Sequence, residues 1–299
     1  MKKLYLLTIA LLVFANATGQ KLKPYILAGS SASSIDVVEK TVLEKLKANG
    51  FRVEGAYKPV SGKDRVVIAV SNDDLAAAVK KIGGFKGFAL ALRVALTAEN
   101  GKVLVSYTNP AYWGRAYFTE NWESVAANYE RFSAKMKTAL SEFDDEAIKD
   151  FGSKKGIDVV ELKKYHYMAG MPYFKDNVKI KEFASFEEAI STIEANLKSG
   201  VKDVRKVYDV KLNGEKMVLY GFALSGADGE RLFMPKIDLS SPKHTAFLPY
   251  EMLVVGNKVY MLHGRFRIAL SFPDLTMSQF MKIVSTPGYI EDKLTEVCK

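Results

Sequence analysis

Two stretches of the chain share one pattern of apolar and polar positions. Residues 88–109 and 247–265 each contain an apolar strand, a tight turn with Asn beside Gly, and a second strand that opens with Lys-Val. An Asn and Gly pair between two alternating apolar runs is typical of a β-hairpin. The sequence therefore predicts the same hairpin once in each half of the chain.

The first strand of the first hairpin has two unlike faces. Apolar residues at alternate positions from Phe88 to Leu96 form one face, which is expected to lie on a core. The residues between them are small, apart from Arg93. Such a row lets another helix, another domain or a ligand come close to the sheet.

The pattern around the first hairpin predicts helices before and after it. The predicted elements are a strand over 25–28, a helix over 35–49 after Ser34, strands over 51–57 and 65–70, a short helix from the Asn72 cap to Gly83, an aromatic loop over 111–118 and a helix over 125–140.

The second half repeats this order. The predicted elements are a strand over 178–183, a helix over 186–198 with a capping box at Ser185 and Glu188, strands over 204–212 and 216–224, a loop over 225–245 in place of the short helix, the second hairpin, and helices over 276–284 and 287–297. The repeated order predicts an α+β fold of two similar domains, each an antiparallel sheet with helices packed on one face.

The ends of these patterns divide the chain. Residues 20–143 form the first predicted domain, the charged stretch 144–164 is a predicted linker, and residues 165–299 form a second, divergent domain. Residues 1–19 are predicted to be a signal peptide, because a positive start precedes an apolar run and small residues that permit cleavage after Ala17 or Gly19. An uncleaved anchor is less favoured, since the run is about half of the ~20 residues that span a bilayer.

Cysteine content and charge narrow the range of partners. The single cysteine, Cys298, permits no intramolecular disulfide, and either remains a free thiol or joins two chains. The net charge is +9, but the lysines are spread along the chain and interleaved with acidic residues. No dense basic run is present, so an acidic partner is conceivable and nucleic-acid binding is not predicted.

The first half resembles the domain of unknown function family 302. The resemblance rests on residues 90–94 and 101–103, and on Ser106, Tyr107, Asn109 and Pro110. The second half is similar to a more divergent copy through residues 248–250 and 258–259. The resemblance implies a compact α+β sandwich that pairs with another copy, and it brings no established reaction.

Alignment of the two hairpins places Arg93 and Glu251 at the same position of the repeat. If the halves pack through these faces about a pseudo-twofold axis, the two side chains are expected to meet. The alternative is that each is solvated or neutralised within its own half. The same alignment sets His263 against Tyr107.

Few residues carry the spacing of known catalytic or metal motifs. The three histidines, His166, His244 and His263, form no HExxH or HxH pattern, and no nucleophile elbow, dinucleotide loop or phosphate loop is present. The sequence therefore predicts no metal and no cofactor, and it identifies no catalytic residue.

Two groups of residues are candidates for ligand binding or for an interface. Tyr107, Asn109, Trp113 and Arg115 belong to the aromatic loop, which suits either packing between domains or a clamp on a planar or anionic ligand. His263 and Arg265 end the second hairpin, where they would contact an anion or remain in solvent.

These observations predict an exported protein, periplasmic or extracellular, that acts as a binding or interaction module at the seam between its halves. The expected partner is a small anionic ligand or an envelope protein. The expected state is a monomer with pseudo-twofold domains or a weak homodimer, without a transmembrane anchor after cleavage. The alternative is an enzyme that acts on a small anionic metabolite through His263 and the nearby arginines.

Overall fold

The computed structural model describes residues 19–59, 62–143 and 149–299. Residues 1–18 of the predicted signal peptide and residues 144–148 of the predicted linker lie outside the described residues. The strands are β1 (Lys21–Leu22), β2 (Tyr25–Ser31), β3 (Arg52–Tyr57), β4 (Arg65–Ser71), β5 (Leu92–Glu99), β6 (Lys102–Thr108), β7 (Lys149–Phe151), β8 (Ile157–Asp158), β9 (Val178–Glu182), β10 (Val204–Lys211), β11 (Met217–Leu224), β12 (Tyr250–Val255) and β13 (Lys258–Met261).

The helices are α1 (Ile35–Ala48), α2 (Asp73–Ile82), α3 (Pro110–Phe118), α4 (Ala126–Leu140), α5 (Val159–Leu162), α6 (Phe186–Ser199), α7 (Glu230–Ile237), α8 (Gly264–Ser271), α9 (Met277–Met281) and α10 (Thr286–Val297). Two short 3-10 turns, Gly84–Ala89 and Thr245–Phe247, come just before β5 and β12. No helix in the described part of the chain is both long and apolar enough to span a bilayer.

Two antiparallel sheets hold most of the strands, which confirms the predicted α+β class. The first sheet has the order β3-β4-β5-β6-β2-β7, and the second has the order β10-β11-β12-β13-β9. In both sheets the strand that precedes the long first helix, α1 or α6, lies beside the second strand of the hairpin. The first five strands of the first sheet and the five strands of the second sheet therefore follow the same order.

The two sheets interlock through the 3-10 turns. The turn before β5 packs on β12, and the turn before β12 packs on β5. Between them, the Thr97 hydroxyl donates a hydrogen bond of 2.8 Å to the Thr245 hydroxyl. The small-residue face of β5 is thus covered by the other half of the chain, and β5 is buried on both faces.

Two glycines lie where the halves come closest. A Cβ on Gly87 would lie 2.5 Å from Leu253 Cδ1, and a Cβ on Gly55 would lie 2.2 Å from the carbonyl oxygen of Val207. Neither distance leaves room for a side chain, because atoms in protein interiors are already in contact. One cluster of buried apolar side chains accordingly runs through both sheets, and it includes Val94, Leu219 and Leu253.

The aromatic stretch 111–118, predicted as a loop, is instead part of helix α3. Asn109 caps this helix by accepting a hydrogen bond of 3.2 Å from the backbone N–H of Ala111, and Pro110 occupies the first helical position. Proline is well tolerated there because the first N–H groups of a helix have no partner within it. The bulky aromatic residues hid the pattern of an amphipathic helix, since nearly every side chain of α3 is buried.

Two further helices depart from the predicted pattern. Helix α7 replaces part of the loop predicted over 225–245, and its buried side chains include Phe233, Met234 and Ile237. Pro235 lies inside this helix, so the usual signal for a loop was misleading here. Helix α8 follows the second hairpin directly and was not predicted. Within the predicted linker, residues 149–162 form β7, β8 and α5, and β7 extends the first sheet.

Candidate functional site

The centre of the seam holds a buried cluster of charged side chains. Arg93 Nη2 of β5 contacts Glu251 Oε1 of β12, with 1% and 0% of the two side chains exposed. The Tyr208 hydroxyl also donates a hydrogen bond to Glu251. Arg267 of α8 lies 3.9 Å from the other Glu251 oxygen and donates to the carbonyl oxygen of Phe247 at 2.7 Å. Side chains from both halves therefore meet at one carboxylate.

The electrostatics of this cluster follow from its burial. Removal from water opposes the charged form of Arg93, but the Glu251 carboxylate, together with Tyr208 and Tyr117, raises the pKa of Arg93 overall. Two guanidinium groups surround one carboxylate, so the cluster carries an excess of positive charge. Arg93 Nε and Arg267 Nε have no hydrogen-bond partner among the described residues. The cluster is costly to assemble, and a change to any one of its members disturbs the others.

The aromatic candidates pack inside the protein. Trp113 Nε1 donates to the carbonyl oxygen of Pro24 at 2.8 Å, and the Asn109 side-chain amide donates to the carbonyl oxygen of Lys23 at 2.9 Å. The half-buried Arg115 stacks over Trp122, with its guanidinium carbon 4.4 Å from the ring centroid.

Neighbouring rings reach across the seam. Tyr107 is buried, and the hydroxyl of Tyr112 donates to the carbonyl oxygen of Leu270 in the second half at 2.7 Å. The hydrogen bonds of Asn109 and Trp113, in contrast, remain within the first half.

His263 occupies the position of Asn109, not that of Tyr107 as the hairpin alignment had it. Val94 pairs with Tyr107 in the first hairpin and Met252 pairs with Met261 in the second. Each strand of the second hairpin is therefore two residues shorter than its counterpart in the first. This difference explains why the sequence alignment placed His263 two residues away from its structural equivalent, Asn109.

The His263 ring caps the N-terminus of α8, as the Asn109 side chain caps the N-terminus of α3. Its Nδ1 caps α8 by accepting a hydrogen bond of 3.2 Å from the backbone N–H of Arg265. Burial and the charge of Arg265 lower the pKa of His263 and keep this acceptor free of a proton.

A cavity of about 560 Å³ lies at one edge of the seam. Its walls come from β7 and the loop after it, from the loop that follows α7, and from the loop between α8 and α9. The polar lining residues are Lys23, Asp150, Ser153, Lys154, Ser240, Ser241, His244, Asp274, Thr276 and Gln279. Of the three histidines, only His244 lines this cavity.

The ring of His244 is buried in the cavity wall. It lies against Tyr25 and Phe272, with centroid distances of 5.0 and 4.6 Å. Its Nε2 is 3.3 Å from the Ser240 hydroxyl oxygen, and its Nδ1 has no hydrogen-bond partner in the described part of the chain. Burial lowers the pKa of His244, so the ring is neutral at pH 7. A neutral imidazole therefore forms part of the cavity wall, with its Nδ1 buried.

The charges at the cavity favour an anion. Asp274 is engaged, because it accepts hydrogen bonds from the Ser153 hydroxyl at 3.2 Å and from the backbone N–H of Lys154 at 2.6 Å. Loss of hydration raises the pKa of Asp150, although the positive charge of Lys23 acts to lower it. Lys23 and Lys154 form no ion pair with any described residue. Two cationic side chains thus remain available at the walls.

The described residues were also compared with the ligand sets that metal ions use. Across residues 19–59, 62–143 and 149–299, no three His, Cys, Asp or Glu side chains lie close enough together to hold a metal ion. Cys298 is buried, with its thiol 3.7 Å from the sulfur of Met252.

Comparisons with known proteins add little to this geometry. No family model matches the chain, and no curated protein matches it. Among solved structures, the chain is similar to an uncharacterized conserved protein, DUF302, from Bacillus stearothermophilus. The identity is 18%, the TM-score is 0.32, and the match covers 37% of this chain and 94% of that one. A likeness with that TM-score carries no argument about fold or function.

Proposed function

We propose that this protein is an exported binding module of two related α+β units, which holds a small anionic molecule in the cavity at the edge of its seam. The observation that carries the proposal is the cavity itself, because its walls come from both halves and include the buried His244. Its volume of about 560 Å³ lies within the roughly 300–1,000 Å³ of small-molecule sites. Its lining is more polar than is usual for such sites, which suits a charged ligand, and Phe151 and Phe272 supply the aromatic part of the wall.

The charges favour an anion over other small molecules. The ammonium groups of Lys23 and Lys154 are available, whereas Asp274 already accepts two hydrogen bonds. The ring of His244 forms part of the buried wall behind these charges.

The proposal also includes the two-unit organisation of the chain and its export from the cytoplasm. The shared strand order and the interlocked turns support an origin from two copies of one unit, joined in one chain and paired about a pseudo-twofold axis. Export rests on residues 1–19, whose composition is that of a signal peptide. A single chain would then supply both halves of the seam.

The alternative, an enzyme built on His263 and its neighbouring arginines, has weaker support. His263 Nδ1 is already engaged as a helix cap. Tyr107 and Arg115 are held in the packing around α3, and neither lines the cavity.

Native mass spectrometry of the protein isolated from its own envelope tests the proposal. We expect the wild-type protein to retain a small molecule, and Lys154→Ala and His244→Asn to lose most of it. Lys155→Ala is the matched control, because this neighbouring lysine does not line the cavity. A wild-type mass equal to that of the bare chain would contradict the proposal. So would a bound molecule that both cavity variants retain in full.

A further inference from the structure

A second concave surface lies on the far side of the loop between α8 and α9. It is an apolar groove of about 200 Å³, separate from the cavity but sharing Leu275 and Thr276 with it. We call it the methionine groove, after Met171, Met277 and Met281 in its lining. Met277, Met281 and Val284 are 49%, 57% and 50% exposed, which is unusual for side chains of this kind.

The polar groups of the groove are nearly all engaged. The Tyr167 hydroxyl donates to the carbonyl oxygen of Leu275 at 2.8 Å, and Thr276 forms a capping box with Gln279 at the start of α9. The exception is Arg265, which is exposed and forms no ion pair in the part of the chain that the structure describes. Among the residues that the structure describes, none with an acidic side chain lines the groove.

We propose that the methionine groove binds an alkyl chain that ends in a carboxylate, with the chain along Met277 and Met281 and the carboxylate on Arg265. A guanidinium forms two parallel hydrogen bonds with a carboxylate, so an unpaired arginine beside an apolar surface matches a single-headed anionic amphiphile. Methionine side chains are flexible and polarisable, and they adapt to a mobile chain.

The size of the groove favours this ligand over a protein partner. An amphipathic helix inserts several anchors along one face and needs a long groove. About 200 Å³ is below the volume of a typical drug-sized site. A narrow alkyl chain fits such a space, and its head group then lies at the rim. The inference stands apart from the cavity and its anion, since a different set of side chains carries it.

Isothermal titration of the full-length mature protein with decanoate, below the concentration at which it forms micelles, tests the assignment. We expect saturable binding of one decanoate and about tenfold weaker binding of decanol, because hydrogen bonds to charged groups contribute most of the difference. Arg265→Gln should remove the preference for decanoate over decanol. The double variant Met277→Gln with Met281→Gln should weaken the binding of both decanoate and decanol.

Two controls locate the site. Val37→Gln alters an equally exposed apolar side chain, 55% exposed, on α1 and should leave binding unchanged. Lys154→Ala alters the cavity, so decanoate binding that this variant weakens would lie in the cavity and not in the groove.

Three results would overturn the proposal. They are the absence of saturable decanoate binding, a preference for decanoate that Arg265→Gln preserves, and a loss of binding in Lys154→Ala instead of Arg265→Gln. Adsorption to lipid vesicles that depends on the methionines, without binding of free decanoate, would assign the groove to a membrane surface and overturn it as well.

Discussion

The centre of the seam and its edge use polar groups in opposite ways. At the centre, Arg93, Glu251 and Arg267 are buried and directed at one another. At the edge, His244 lies in the wall of an open cavity, and Lys23 and Lys154 form no ion pair in the described part of the chain. The comparison teaches that buried charge in this protein is not by itself a sign of a binding site. The two regions differ in that an open cavity adjoins the polar side chains at the edge, whereas the charged side chains at the centre are packed against one another.

Removing the carboxylate at the centre should have the largest effect. Glu251→Gln leaves two guanidinium groups buried around a neutral amide, and we expect a loss of about 3–5 kcal/mol in the free energy of unfolding. Urea denaturation of the variant and the wild type measures this difference. If the variant lost less than about 1 kcal/mol, the centre would not differ from an exposed ion pair.

A double-mutant cycle separates the pair from its surroundings. Arg93→Met with Glu251→Leu replaces both charges by apolar groups, and it should be less destabilising than the sum of the two single changes. Additive effects would show that the two side chains do not stabilise the seam through each other.

Glu230 lies on the contact between the halves, and its titration predicts how the stability of that contact depends on pH. This buried carboxyl of α7 accepts a hydrogen bond of 3.0 Å from the Tyr57 hydroxyl of the first half, and burial raises its pKa to about 8. Because the folded protein holds the proton more tightly than the unfolded chain, the contribution to stability is complete below the unfolded pKa of 4.5. It is lost as the pH rises towards 8.

Denaturation between pH 5 and pH 8 checks this prediction. The slope should be at most about 1.4 kcal/mol per pH unit. Glu230→Gln should flatten it, because a glutamine does not titrate. An unchanged slope in the variant would assign the pH dependence to other groups.

The smallest effect is expected at the cavity. His244→Phe keeps an aromatic ring among Tyr25 and Phe272 and removes only the contact with Ser240, so we expect a change of about 1 kcal/mol or less. The lowered pKa of His244 gives stability that is present above the unfolded pKa of 6.5 and is lost as the pH falls. The variant should therefore be less sensitive to acid. A loss as large as that of Glu251→Gln would remove the distinction between edge and centre.

Local patterns in the sequence predicted most of the regular structure. Helices α1, α4 and α6, both hairpins and the caps at Asn72 and Ser185 lie where apolar spacing and capping residues indicated. Helices α3 and α7 were missed because aromatic residues and Pro235 obscured the helical period. In both helices tertiary burial outweighs the local signal.

The site was harder to predict than the fold. Arg93 and Glu251 occupy corresponding positions in two hairpins of similar pattern, so an alignment of the hairpins suggested their contact, while the sequence left open that each is neutralised within its own half. The cavity has no such signature: Lys23, Asp150, Ser240 and Asp274 come from four separate segments that meet only after the sheets pack. No spacing along the chain relates them, and His244 had no feature that distinguished it from the other two histidines.

The interlocked 3-10 turns constrain which substitutions each half of the chain can accept during evolution. Each turn supplies part of the surface on which the other half's hairpin rests, and Gly87 leaves no space for a side chain against Leu253. A substitution on the shared face of one half must therefore remain compatible with the other half of the same molecule. The halves are free to diverge in their outer helices and loops, where the cavity and the methionine groove are formed, but their shared face must change in step.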